Sequence, residues 1–220
     1  MKVIITGSSG MVGKGVLIEC LKHLEVEEVL VINRSSINMD HPKLKEVLCS
    51  NFLNISSIKN DLEGYDACFH CMGVSSVGIS EENYYKLTYN VTEKLATSLN
   101  NMNPDMTFIY VSGQGTDSSE KGRSSWARVK GKTENMLFKI GFKNAIAFRP
   151  GAIIPGKGIK SKAAWINFML LLFRPLYPLI KKMKSVTTSE NIGLAMFNTV
   201  NNSLNNKIVN GKQINNLAKV

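Results

Sequence analysis

The sequence predicts an α/β protein built as one doubly wound parallel sheet. Three observations predict it. Short apolar, β-branched runs alternate with longer stretches in which apolar residues recur at three- and four-residue steps. Glycines cluster where the first run gives way to the first helical stretch. No repeat, linker or low-complexity segment interrupts the alternation. Serial βα units imply right-handed crossovers and so parallel strands, for which the order 3-2-1-4-5-6, with room for an extra strand, is the natural arrangement.

The first strand is Val3-Ile4-Ile5, ending at Thr6, and the turn after it carries Gly7, Gly10 and Gly13. The first helix spans 11–24, with Val12, Val16, Leu17, Cys20, Leu21 and Leu24 on its apolar side. Strand, glycine turn and helix together aim backbone N–H groups and the positive end of a helix dipole at one point, which suits a phosphate. Gly7 permits the tight turn, Gly10 lets the backbone approach a pyrophosphate, and Gly13 lets helix and strand pack closely. The residues around them, Ser8, Ser9, Met11 and Val12, join the predicted cofactor site.

Glu28–Ile32 is the second strand, continuous and apolar as a strand covered on both faces should be. Beyond it stand Asn33, Arg34 and Ser35, with no acidic residue before Asp40. A carboxylate at this place bonds the ribose 2′-hydroxyl of NAD. An arginine with hydroxyls suits a 2′-phosphate instead, so NADP is favoured over NAD.

Lys45–Cys49 is a third strand, after which Asn51 and Phe52 stand where an adenine ring would be held. Residues 54–63 form a short helix. Tyr65–Cys71 is the fourth strand, followed by Met72, Gly73 and Val74, where a glycine again allows close backbone approach. Ser80–Asn101 is a long amphipathic helix with Ser80 as its N-cap and Tyr84, Tyr85, Leu87, Val91, Leu95 and Leu99 along it; Asn103-Pro104 stops it. Thr107–Val111 is strand five and leads to Ser112. Trp126–Ile140 is the next helix, with Gly141 as its C′ residue. Ala145–Phe148 is strand six and runs into Arg149-Pro150-Gly151. Thr188–Asn201 is a further helix, and Lys207–Val209 and Gln213–Leu217 are short closing elements.

Between Gly151 and that helix the periodicity degrades. Residues 163–180 are strongly apolar but broken by Asn167, Arg174, Pro175 and Pro178, too interrupted for a spanning helix. Residues 152–190 are read as a small helical lid over a substrate pocket; attachment to a membrane surface, aided by Lys181, Lys182 and Lys184, is the lesser reading.

The bulk properties narrow the function. At 220 residues the chain suits one domain. Hydrophobic content of 44% and charged content of 20% are ordinary for a globular protein. The net charge of +10 comes from scattered lysines and arginines, without a basic helix or nucleic-acid motif, which argues against nucleic acid and for a polyanionic cofactor. Cys68-Phe-His-Cys71 has no second Cys/His pair at zinc spacing, so buried free thiols are expected and no metal. With no targeting leader ahead of the first strand, a cytoplasmic location is expected.

These features together resemble the short-chain dehydrogenases/reductases, in particular their atypical and extended branch of NAD(P)-binding, epimerase/dehydratase-like proteins. The resemblance rests on Thr6-Gly-Ser-Ser-Gly-Met-Val-Gly13, Gly73, Asn90 in the fourth helix, Ser112 and Arg149-Pro150-Gly151. It covers nearly the whole chain and implies one NAD(P)-binding Rossmann domain over residues 1–220. It also implies roles: a tyrosine as acid/base, a lysine four residues later that holds the cofactor ribose, and a serine that orients the substrate carbonyl. Here Ser112 and Lys130 are present, and Trp126 stands at the tyrosine position.

An indole N–H donates a hydrogen bond but does not titrate usefully, so the usual proton relay cannot run through Trp126. Either another group, Tyr84, Tyr85, Tyr89 or His70, supplies the proton, or the cofactor binds without hydride chemistry. Two functions follow: an NADP-dependent oxidoreductase or epimerase-like enzyme on a small carbonyl or hydroxyl substrate, and a non-catalytic NADP(H)-binding redox sensor or regulator. Pairing with a second copy through the helices after strands four and five is expected from relatives.

Overall fold

The structure is a computed structural model that describes residues 1–156, 158–159, 185–202, 204 and 206–220. In the first half of the chain the strands are β1 (Lys2–Thr6), β2 (Glu28–Asn33), β3 (Leu44–Leu48) and β4 (Ala67–His70). Further on come β5 (Thr107–Val111), β6 (Asn144–Arg149), β7 (Ile153–Ile154), β8 (Thr187–Thr188) and β9 (Ile208–Asn210). The main sheet has seven strands, all parallel, in the order β3-β2-β1-β4-β5-β6-β9. The expected order is therefore present, and the extra strand is β9, added beside β6. β7 and β8 pair with each other in a separate two-stranded sheet.

Both faces of the sheet are covered, which is why its strands read as unbroken apolar runs. On one face lie α1 (Met11–Lys22), α5 (Ser189–Asn201) and α6 (Gly211–Leu217), packed on Val3, Ile5, Phe69, Ile109 and Phe148. The other face carries a 3₁₀ helix (Ser56–Asp61), α3 (Val91–Met102) and α4 (Ser125–Ile140), packed on Ile4, Leu30, Cys68, Phe108 and Tyr110. Leu17, Leu95 and Leu99 are completely buried at these contacts, each worth about 1.5–3 kcal/mol of transfer from water.

α1 and α5 cross unusually closely because glycines sit at the contact. A Cβ on Gly15 would lie 2.4 Å from the Cβ of Ser189, and one on Gly193 would lie 3.0 Å from the Cα of Val16. Thr188 caps α5 by accepting from Asn191 N at 3.0 Å, and Gly156 N donates to the buried Ser189 hydroxyl at 2.9 Å.

Two expectations of detail are corrected. The first helix ends at Lys22, and Leu24 is 94% exposed, because His23 turns extended and ends the apolar stripe. The helix after strand four is not regular. Ser80 caps α2 (Glu81–Tyr85) as expected, but a π turn (Lys86–Asn90) separates α2 from α3. The wider turn shifts the phase of the apolar stripe, so Leu87 is 44% exposed. Among the described residues no helix is long and apolar enough to cross a membrane. The apolar stretch 163–180 and Lys181, Lys182 and Lys184 lie outside the described residues.

Candidate functional site

The carboxyl ends of β1, β2 and β4 meet around a cleft of about 140 Å³. The turn after β1 gives it Gly7, Ser9 and Gly10; the end of β2 gives Ile32, Asn33 and Arg34; Phe52 and the Cys71–Gly73 segment close it. Eight of the residues predicted to bind cofactor, Gly7, Ser9, Gly10, Asn33, Arg34, Phe52, Met72 and Gly73, are thus brought to one place.

The glycine turn is shaped by exclusion. Gly7 has φ +73°, and a Cβ on it would lie 2.7 Å from Met72 N. A Cβ on Gly13 would lie 2.3 Å from Gly7 O, so the helix packs on the turn itself. Gly10 is the N-cap of α1; no side chain caps it, and no acidic residue occupies the first turn. The first N–H groups of this 12-residue helix, next to the cleft-lining Gly10, therefore have neither a side-chain cap nor a competing carboxylate. At Gly73 a Cβ would meet nothing within 4 Å, so its value is open space beside the cleft. A turn that a single Cβ would block, opening on an uncapped helix end, fits a pyrophosphate.

Ser8 faces inward. Its hydroxyl donates to Asn33 Oδ1 at 3.0 Å, tying the glycine turn to the end of β2. Asn33 Nδ2 donates to Glu46 Oε1 at 3.1 Å. Glu46, on β3, also accepts from the Ser36 hydroxyl at 2.5 Å and from Ile37 N at 3.0 Å. Burial raises its pKa, but the donors from Ser36, Asn33 and Ile37 outweigh that and hold the carboxyl below its usual range. Sequence reading missed Glu46. It lies beyond Asp40 in the chain and reaches the loop after β2 only because β3 pairs with β2 in parallel. Arg34 and Ser35 are exposed at the rim. Asn51 stays exposed, its Oδ1 accepting from Leu53 N at 3.0 Å.

The residues expected to carry the chemistry lie beyond β5, outside the cleft lining. Ser112 is buried, its N–H donating to Phe148 O at 2.9 Å and its hydroxyl to the same oxygen at 3.2 Å. Lys130 Nζ donates to Ser112 O at 2.5 Å. Burial draws the Lys130 pKa down to about 8, with Glu134 pulling the other way. Trp126, one turn before Lys130, lays its ring over Gly115: a Cβ there would lie 3.3 Å from Cη2. Gln114 N donates to Pro150 O at 2.8 Å, and a Cβ on Gly151 would lie 2.5 Å from Ser185 O. The Pro150–Gly151 turn thus bonds to the loop after β5 and lies close against the chain before β8. Met11, Val12 and Val74 are partly buried outside the cleft lining, and Asn90 closes the π turn.

None of the alternative proton donors lines the cleft. His70 is buried between the Thr6 and Thr92 hydroxyls, at 2.8 and 3.1 Å, and burial followed by the nearby Lys130 lowers its pKa to about 3. It is a neutral structural imidazole. Tyr84 is buried; Tyr85 and Tyr89 stack at 4.8 Å beside Lys132, with the Tyr89 hydroxyl donating to Glu93 at 3.1 Å. Cys68 and Cys71 are free thiols that pack against opposite sides of the sheet. Among the described residues no group of three or more His, Cys, Asp or Glu could hold a metal ion.

Comparison with known proteins adds to this geometry. The model of the NAD dependent epimerase/dehydratase family matches residues 3–123. Protein FMP52, mitochondrial, from Debaryomyces hansenii is 26% identical over 164 residues, covering 74% of this chain and 70% of that protein. Protein fmp52, mitochondrial, from Emericella nidulans is 23% identical over 172 residues, again covering 74% and 70%. The crystal structure of UDP-glucuronic acid 4-epimerase from Bacillus cereus in complex with NAD superposes with a TM-score of 0.69 at 14% identity, covering 96% of this chain and 78% of that one. One expectation is corrected by these names. Both relatives are called mitochondrial, which overturns the cytoplasmic location expected from the sequence.

Proposed function

Because the chain belongs to the NAD dependent epimerase/dehydratase family, we propose that it binds NADP(H) in the cleft at the ends of β1, β2 and β4. It uses the cofactor as an oxidoreductase or epimerase-like enzyme on a small carbonyl or hydroxyl compound. The observation that carries the cofactor reading is the rim of the cleft. Exposed Arg34 and Ser35 follow β2, where a carboxylate would otherwise meet a ribose hydroxyl, and a guanidinium with a hydroxyl matches a 2′-phosphate. The uncapped start of α1 and the Gly7–Gly10 turn hold the pyrophosphate, with Ser8 bracing the turn against Asn33. Phe52 and Asn51 flank the adenine, Met72, Gly73 and Val74 the middle of the cofactor, and Asn90, Pro150 and Gly151 its far end.

The bound nicotinamide would supply or accept a hydride. Lys130 holds the ribose with its ammonium, and Ser112 orients the substrate oxygen. Trp126 donates a hydrogen bond or packs, but moves no proton. Proton transfer therefore runs through a group other than a phenol at that position.

The test is incubation with NADPH and a broad panel of carbonyl compounds. Oxidation above background with at least one of them supports the enzyme; tight NADPH binding with no oxidation refutes it. Trp126 itself favours a second reading, a non-catalytic NADP(H)-binding module that reports redox state. Turnover created by Trp126→Tyr in a chain that otherwise has none supports that reading, and turnover in the parent that Trp126→Tyr leaves unchanged removes it.

A further inference from the structure

We infer that Glu46 is the positioning residue for recognition of the cofactor's 2′-phosphate; this rests on the NADP reading above. Glu46 stands on the edge strand β3, level with Val31 of β2, and its side chain reaches past the end of β2. There its two oxygens take three donors from the last residue of β2 and the loop after it: Asn33 Nδ2, Ser36 Oγ and Ile37 N, at 3.1, 2.5 and 3.0 Å. Ser36 Oγ in turn accepts from Asn38 N at 3.1 Å, and Asn38 turns the chain at φ 48°. The loop is thus bonded on its inner side to a single carboxylate.

The residues left over are Arg34 and Ser35. Both are exposed, and among the described residues neither has a hydrogen-bond partner. The loop therefore presents a guanidinium and a hydroxyl outward while Glu46 holds everything around them. Glu46 does not itself line the cleft. The three neutral donors keep the Glu46 carboxylate ionised on the inner side of the loop, so its repulsion of a phosphate is set against its positioning of Arg34 and Ser35. A ribose that ends in a hydroxyl needs neither Arg34 nor Ser35, so the clamp matters for NADPH and not for NADH.

Equilibrium binding of NADPH and of NADH to the full chain tests this, read by cofactor fluorescence for the parent, Glu46→Gln, Ser36→Ala and Arg34→Ala. Glu46→Gln should weaken NADPH about tenfold while changing NADH less than about twofold, because the loop loses its charge-assisted ties and only NADPH uses the Arg34 and Ser35 that it presents. Ser36→Ala, a surface change that leaves Asn33 and Ile37 bonded, should cost NADPH about threefold. It decides the matter alone if Glu46→Gln does not fold. Equal affinities of the parent for NADPH and NADH remove the NADP reading and this inference together. A parent preference that Arg34→Ala erases but Glu46→Gln and Ser36→Ala leave intact overturns the inference alone. So does an equal loss for both cofactors, which is what a general structural role gives. A gain in NADPH affinity on Glu46→Gln would show a repelling carboxylate and overturn it as well.

Discussion

Arg149 Nε donates to Glu134 Oε1 at 3.0 Å, and the Glu134 side chain has no exposed surface. The guanidinium also reaches Glu134 Oε2 and the Ser118 hydroxyl, so one residue joins the end of β6, α4 and the loop after β5. Glu134 lies one turn beyond Lys130 on the same helix. Removing the arginine would leave a buried carboxylate unpaired. Arg149→Met should therefore destabilise the fold by about 3–5 kcal/mol in urea unfolding, and adding Glu134→Gln should recover part of that loss. A loss below about 1 kcal/mol would refute the pairing as a structural tie.

Lys130 gives a pH signature. Its pKa is drawn down to about 8 in the folded chain by burial, so the ammonium that would meet a ribose is lost as pH rises through that value. NADPH affinity should fall between pH 7 and 9, and Lys130→Met should show weaker, pH-independent binding. Stability moves the other way. Above pH 8 the unfolded chain holds this proton and the folded one does not, so unfolding becomes harder toward the ordinary value of 10.5. Cofactor titrations and thermal melts over one pH series separate the two trends.

His70 predicts acid sensitivity. Its pKa falls from 6.5 to about 3 on folding because burial, and then Lys130, disfavour the imidazolium. Between those values the unfolded chain binds a proton that the folded chain refuses, so stability drops as pH falls through that window. The slope from this one group is at most about 1.4 kcal/mol per pH unit. His70→Gln should be less stable at pH 7, because the Thr6 and Thr92 bonds are disturbed, but its stability should decline less between pH 6.5 and 4 than the parent's. Parallel declines would refute the neutral buried imidazole.

The glycines divide into two kinds. A Cβ on Gly13 collides with the Gly7 carbonyl, whereas one on Gly73 meets open space. Gly13→Ala should abolish NADPH binding and cost several kcal/mol. Gly73→Ala should leave the melting of the free chain within about 0.5 kcal/mol of the parent.

The sheet order was legible because each buried strand is an unbroken apolar run and each helix carries its own stripe. Thr6–Gly13 and Asn33-Arg34-Ser35 were legible because they are contiguous. What escaped depends on contacts between distant parts of the chain. Glu46 reads as an outward residue of an edge strand, and nothing local says that its carboxylate holds a loop beginning at Asn33. His70 is a potential acid/base by residue type alone; only Thr6 and Thr92, from two other elements, show that it is sealed. The π turn left no mark either, since Lys86–Asn90 has a composition compatible with an ordinary helix. The resemblance to short-chain dehydrogenases/reductases holds for the fold and the family, and the location inferred from the sequence does not hold.

The close crossing of α1 and α5 has a consequence for synthesis. The helix that follows the glycine turn is covered by residues far later in the chain. Until Ser189–Asn201 and Ile208–Asn210 emerge, α1 alone covers its face of the sheet, and Gly15 and Val16 lack their neighbours. A nascent chain that stops short of α5 is then a sheet with part of one wall missing, and the turn before α1 gains its full packing only when α5 docks.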